Sequence, residues 1–387
     1  MIKRVIFFVE SPFYQRDYDR FGIEILLKNG FEVEVWNFAP FLNPQVRIEI
    51  EIPDPINWEK HYSYINMGEA KSAILKLEDS CIVVCLVNYH IKSFPIYKAL
   101  SKNNIQYCVV MAHALPLLNA KKKLRDYFKS INRTSPVKIA NLLFTCVPYK
   151  YLGIKPTNII LAGGTESIKY KYPIDKNTEI LWLHTFDYDS YTERRDSPVQ
   201  CDNNMGVFLD EYLPFHPDFV QLGLSVPSTP EEYYPGICKF FDYIEQAYGV
   251  HIVIAAHPKS NYETYPYYFG GRPIIKGKTA ELVRKSGFTI AHMSTSINFA
   301  ILFHKPVIFI TSNRLKQSFI GSQINLMASW LGKKAINIDN PIKIDWEEEC
   351  SINEKAYMNY MQSYIKREGS EELPFWQIFA NRIKKIL

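Results

Sequence analysis

The chain has no run of about 18 apolar residues, so no part of it is expected to cross a membrane as a helix. Its opening, MIKRVIFFVESPF, pairs a basic start with an apolar run. Glu10 ends that run too early for a secretory signal, so the stretch reads as a first buried strand. No CxxC occurs. Cys81, Cys85, Cys108, Cys146, Cys201, Cys238 and Cys350 are scattered, odd in number and mostly within apolar runs. That argues against a disulfide framework and for buried free thiols in a reducing cytosol. No His/Cys cluster has zinc spacing. The net charge of +5, from 45 basic and 40 acidic residues, is too weak to argue for nucleic acid, and no RRM, zinc-finger or helix-turn-helix signature accompanies it. Internal repeats at a fixed 20–50 residue period and low-complexity tracts are also missing.

What is present is a chain of 387 residues, long enough for two domains, with a hydrophobic share of 47% and a charged share of 22% that suit a globular protein. The first half alternates strand and helix signals. KRVIFFVE reads as a strand, and Tyr18 to Lys28 as a helix stopped at Asn29-Gly30. FEVEVWNF, SCIVVCLVN and IQYCVVMAH are further strands, with the helix IYKALSKNN between the last two. Apolar strands alternating with helices predict a parallel sheet covered on both faces, a Rossmann-like domain. Its first strand is followed by Glu10-Ser11-Pro12-Phe13 rather than GxGxxG. That counts against an NAD or FAD protein, and no cofactor is expected.

A second alternating series starts near Thr178 with the strand EILWLHTF. It continues through NMGVFLDEYLP, a helix from Pro230 to Tyr248 stopped by Gly249, HIVIAAHPK, TAELVRKSG, FTIAHMSTS, INFAILFHK and PVIFITS. Helical signals follow Glu347. The expected fold class is α/β, with two Rossmann-like domains facing a cleft. Residues 1–170 form the first domain and 171–345 the second, with 346–387 as C-terminal helices packing back on the first. Ligands of such sheets bind outside the carboxyl ends of the strands.

Three turns at such ends carry polar chemistry. HIVIAAHPKSNYE puts His257, Pro258 and Lys259 directly after a buried strand. A protonated His257 or Lys259 can pair with phosphate oxygens; a capping histidine is the plain alternative. Ser294, Thr295 and Ser296 lie between a strand and an apolar helix. One serves as an N-cap, and three exceed that need, so hydroxyls with free helix-start N–H groups suggest an anion site. GVFLDEYLPFHPD delivers Asp210 and Glu211 to a strand end, where a carboxylate tuned by burial can take a proton from a hydroxyl. The nearby His216 has no clear role. Asp187 and Asp189 have literal DxD spacing in HTFDYDSYTERR, but at a position that does not suggest a metal site, and none is expected.

The acidic, HP and serine turns, in that order over residues 200 to 312, resemble those of the two-Rossmann (GT-B) glycosyltransferases. The likeness is to bacterial enzymes using CMP-activated sugars: the sialyltransferase, polysialyltransferase and capsule-type Kdo-transferase group. It spans about a third of the chain. It implies an inverting, metal-independent transfer of an acidic sugar from a CMP-sugar to a glycan or glycolipid acceptor. Asp210 would be the base, His257 would sit on the CMP phosphate, and Ser294 and Ser296 would hold the nucleotide or phosphate. Tyr212 stands where an Asp-Asp-Gly type motif has Gly, which leaves both Asp210 and Glu211 as candidate bases. A teichoic-acid-type polyol-phosphate transferase using CDP-glycerol is an alternative, with His as base. So are a UDP-sugar glycosyltransferase and a non-catalytic nucleotide- or sugar-binding protein of capsule or lipopolysaccharide assembly. The acceptor is expected at the first domain, where Glu10, Ser11, Asn88, His90 and His113 sit at strand ends. In KKKLRDYFKSINRTSPVK, Lys121, Lys122, Lys123 and Arg125 form either a solvated helix face or a patch for an anionic membrane surface. The expected location is the cytoplasm, at the inner face of a bacterial membrane in the second case.

Overall fold

The computed structural model describes residues 2–44, 56, 58–116, 136–168, 172–216, 219, 225–340 and 344–386. Lys121, Lys122, Lys123 and Arg125 lie outside them. Among the described residues no helix is long and apolar enough to cross a membrane.

Two parallel sheets organise the chain. The first has seven strands in the order β3-β2-β1-β4-β5-β6-β7. These are β1 (Arg4–Val9), β2 (Glu32–Asn37), β3 (His61–Ser63), β4 (Cys81–Cys85), β5 (Gln106–Met111), β6 (Ile159–Ala162) and β7 (Glu179–Trp182). The second has six strands in the order β10-β9-β8-β11-β12-β13: β8 (Asp202–Leu209), β9 (His251–Ala256), β10 (Ile274–Lys276), β11 (Ser286–Ala291), β12 (Val307–Thr311) and β13 (Ile336–Asn337).

Near-continuous apolar strands are what a sheet buried on both faces requires. Along β1, Val5, Phe7 and Val9 enter one core, while Ile6 and Phe8 enter the other. Along β8, Val207 and Leu209 face one core and Phe208 faces the opposite one. Period-two alternation thus fills both faces, and each buried Phe contributes roughly 2–3 kcal/mol.

EILWLHTF, expected to open the second series, instead supplies β7 at the edge of the first sheet, with Ile180 in register with Ile160. Its strand signal is local, but its partner β6 is four residues long and carries little signal of its own. The boundary expected near residue 170 therefore moves beyond Trp182. The helix expected from Tyr18 to Lys28 is two, Gln15–Arg20 and Ile23–Lys28. They are separated at Gly22, where φ is +55° and a Cβ would meet Trp376.

The C-terminal segment divides between the units. Tyr357, Tyr360, Tyr364 and Ile365 join the core that holds Val207 and Leu209. The helix Phe375–Ile383 enters the first unit's core, where Trp376 sits 5.1 Å from Phe7 and donates its indole N–H to Arg20 O at 2.7 Å. The chain crosses to the second unit after Leu183 and returns after Ile365, and His184 and Lys366 bridge at that double crossing. Of the seven free cysteines only Cys81, Cys85 and Cys108 are buried; Cys146 and Cys201 are exposed, which corrects the expectation of buried thiols for those two.

Candidate functional site

In each sheet the strand order reverses direction at one point, between β1 and β4 in the first and between β8 and β11 in the second. Both reversals open a crevice at the carboxyl ends of the strands, the place where α/β sheets bind ligands.

In the second sheet the crevice is built by the Asp210-Glu211 turn that follows β8. The Asp210 carboxylate is 4% exposed. It accepts the Tyr212 N–H at 3.0 Å, the His257 N–H at 3.2 Å and the Tyr262 hydroxyl at 2.9 Å. Burial pushes its carboxyl up to about 6, although these donors favour the ionised form. Glu211 is half-buried and reaches the other way, accepting the Met293 N–H at 2.7 Å. Burial first, then the Asp210 charge, push it up to about 8. The two neighbouring carboxyl groups therefore tie together all three turns singled out in the sequence. With the order β9-β8-β11, the HP and serine turns flank this pair at about 10 Å from each other, two strand spacings.

Tyr212, where a glycine would be expected in an acidic motif of the CMP-sugar type, has φ +53°. The left-handed conformation that glycine favours is present, held by a non-glycine residue packed against Phe215 and Tyr262 with ring centroids at 5.1 and 5.3 Å.

The HP turn differs from expectation in charge. The His257 Nδ1 accepts the Lys259 N–H at 3.2 Å, so the ring proton of the neutral imidazole lies on Nε2. Burial, then the charges of His216, Lys259 and Arg16, pull His257 down to about 3. The expected imidazolium is thus a neutral N–H donor. His216, left without a role by the sequence, packs its ring 4.8 Å from that of His257, tilted by 59°.

At the serine turn Ser294 and Ser296 are half-buried and Thr295 is exposed. Ser294 Oγ accepts the Ser296 N–H at 3.2 Å, and Ser296 makes no side-chain cap on the following helix, Ile297–Leu302. The capping explanation therefore fails for the Ser296 hydroxyl. Part of the expected anion site is already filled, however: the Met293 N–H, with those of His292 and Ser294, faces the Glu211 carboxyl. The base of this turn is fixed by His292, fully buried. Its Nδ1 donates to Ile310 O at 2.7 Å, and its Nε2 accepts the Tyr233 hydroxyl at 3.0 Å.

In the first sheet the crevice has a parallel construction. Glu10, after β1, accepts the N–H and the side-chain amide of Asn88, after β4, at 3.1 and 2.5 Å. His90 Nε2 lies 3.6 Å from the same carboxylate, while its Nδ1 accepts the Ser93 N–H at 3.1 Å. Ser11 is exposed beside them. Glu10, Asn88 and His90 are therefore brought together. His113 is instead packed 4.3 Å from Phe186, and burial and the charges of Arg20 and Arg16 keep it neutral.

Arg16, on the short helix after β1, is exposed and makes no hydrogen bond or ion pair among the described residues. Its charge bears on His113 in the first unit and on Asp187 and His257 in the second. The DxD carboxylates diverge: Asp187 accepts the Asn298 amide at 2.8 Å, and Asp189 accepts the Phe375 N–H at 3.1 Å.

No protein-family model matches the chain, and no curated protein matches it. Among solved structures, the glycotransferase of kitacinnamycin is similar over 100% of this chain and 99% of its own, at 10% identity and a TM-score of 0.53. The fold is GT-B-like. The UDP-GlcNAc 2-epimerase of Methanocaldococcus jannaschii covers 100% of this chain and 99% of its own at 12% identity and a TM-score of 0.45. The calicheamicin glycosyltransferase CalG4 covers 94% of each at 10% and 0.47.

Sequence reasoning passed over Tyr262, Tyr233, His292 and Arg16. Tyr262 lies in NYETYPYYFGG, where the density of aromatics directly after the HP turn was a usable signal. Tyr233 sits inside a helix and His292 directly follows an apolar strand, so both look like core. Arg16 becomes visible only when the two units are placed face to face.

Proposed function

We propose that the protein is an inverting, metal-independent glycosyltransferase that moves an acidic sugar, sialic-acid-like or Kdo, from a CMP-sugar to a surface-glycan acceptor. The observation that carries this reading is the Asp210-Glu211 pair bonded to the HP turn on one side and the serine turn on the other. A GT-B-like fold gives the two facing units that a donor and an acceptor need. The occupied serine turn favours a monophosphate leaving group. Its N–H groups already face Glu211, so a second phosphate would meet a carboxyl rather than free donors.

In this reading Asp210 is a positioning residue, since its oxygens are committed to its own turn, His257 and Tyr262. Glu211 is the base: half-buried, with a carboxyl near neutrality, where proton transfer is most effective. The acceptor hydroxyl gives its proton to Glu211 and its oxygen attacks the anomeric carbon. The bond from that carbon to the phosphate oxygen breaks, and CMP leaves with the electron pair. The His257 Nε2–H, Lys259 and the serine-turn hydroxyls oppose the charge that develops. The CDP-glycerol reading would need His257 as base, and an imidazole pulled down to about 3 is a weak one. Glu10 and His90 face the acceptor in the first unit.

Turnover of CMP-sialic acid and CMP-Kdo, with and without added glycan, tests the proposal. Release of CMP by the wild-type protein, reduced roughly 10²–10⁴-fold in Glu211→Gln and at least about a hundredfold in His257→Ala, is the expected result. Undiminished release in both variants, or turnover of UDP-sugars or CDP-glycerol alone, would overturn it.

A further inference from the structure

A cavity of about 490 Å³ opens on the β9–β10 edge of the second unit, beside the HP turn. Its size falls within the range of small-ligand sites, roughly 300–1,000 Å³. Ser260, Tyr262, Glu263, Tyr267, Arg272 and Lys276 line it. Three features mark it as more than a surface fold. Ser260 is 3% exposed, and its Oγ is buried without a hydrogen-bond partner. A buried hydroxyl left unpaired costs roughly 1–3 kcal/mol, so it asks for a ligand atom or a water. The Tyr267 ring at the rim is 85% exposed and free to stack. The cations are already engaged. Lys276 donates to Ser260 O at 2.6 Å and lies 3.6 Å from Glu263, and Arg272 is held by Asp242 and Glu245. The lining is therefore close to neutral, suited to an uncharged planar ring with polar edges.

The cavity is also coupled to the HP turn. The Ser260 N–H donates to His257 O at 2.9 Å. One Asp210 oxygen accepts both the His257 N–H and the hydroxyl of the cavity wall residue Tyr262. Whatever His257 holds at one side of this turn is thus placed at a fixed offset from the cavity on the other.

We infer that this cavity receives the nucleoside of the donor, with the base stacked on Tyr267 and its polar edge bonded to the Ser260 hydroxyl, and with the ribose hydroxyls at Glu263. The inference rests on the donor reading above and adds the place of the base and ribose. Calorimetric titration of the full chain with CMP and with cytidine tests it. The wild-type protein binds CMP, and cytidine more weakly. Tyr267→Ala weakens both ligands by about tenfold, within what one base–aromatic stack contributes, and Ser260→Ala by about as much, within what one hydrogen bond contributes. His257→Ala weakens CMP but leaves cytidine unchanged. Tyr267 is exposed and Ser260 loses only an unpaired hydroxyl, so both variants fold, as a wild-type circular dichroism spectrum checks. If CMP binds the wild type and the Tyr267 and Ser260 variants equally, the cavity assignment falls and the donor reading stands. If neither CMP nor cytidine binds the wild type, both fall. If the Tyr267 and Ser260 variants lose only binding of acceptor sugars, the cavity is a carbohydrate site and the inference is overturned.

Discussion

The carboxyl of Glu211 titrates near neutrality because it is withdrawn from water next to a second acid, and this has two measurable results. As the transfer base it must be ionised, so turnover rises with pH up to about 8, and Glu211→Gln lowers kcat by roughly 10²–10⁴. Stability runs the opposite way. The folded state holds this proton above the unfolded value of 4.5, so the contribution is full at low pH and is lost as pH rises through about 8. Asp210, raised to about 6, and His257, lowered to about 3 from 6.5, have largely completed their changes by about pH 7.5. Between about pH 7.5 and 8.5 Glu211 alone of the three still titrates appreciably. Thermal denaturation across that window is expected to show a falling Tm for the wild type and a flatter profile for Glu211→Gln; parallel profiles would remove the assignment. Asp210→Asn keeps the volume but sets an amide against donors. It is expected to cost about 1–3 kcal/mol of stability and to weaken CMP, with conservative Asp210→Glu restoring part of the binding.

At the scale of elements, the short helices after β1 and the last helix hold each other. Gly22 needs its positive φ and has Trp376 where a Cβ would be. Gly22→Ala is expected to destabilise by about 1–3 kcal/mol, and Trp376→Ala by about 3–5. The double variant should cost less than the sum, because removing the indole relieves the clash but not the backbone strain. Urea denaturation of the four proteins checks this; strict additivity would contradict it. This contact also shows what the sequence could and could not reveal. Strands such as RVIFFV and CIVVC, and the helix Pro230–Tyr248, were legible because period, capping and stop signals are local. The division at Gly22, the edge strand β7 and the return of Phe375–Ile383 to the first core depend on partners more than a hundred residues away or on strands too short to read.

For the whole molecule, the two crevices are built alike, each with a glutamate after its first strand accepting an N–H from the turn after the fourth. The chemistry-bearing turns of the second unit were readable because each follows a strong apolar strand. Their mutual bonds were not, since nothing in the spacing of Asp210, His257 and Met293 shows that one acidic dipeptide spans both neighbours. Nor does the sequence show that Arg16 of the first unit bears on His257 of the second. A ligand bound at this meeting point should stabilise the fold as a whole. The direct measurement is the shift in Tm with CMP, CDP, UMP and UDP for the wild type and His257→Ala. CMP at about 100 times its Kd is expected to stabilise the wild type by about 2.7 kcal/mol, more than the diphosphates do, with most of the shift lost in the variant. Stabilisation by UDP with none by CMP, or an equal CMP shift in both proteins, would contradict the account.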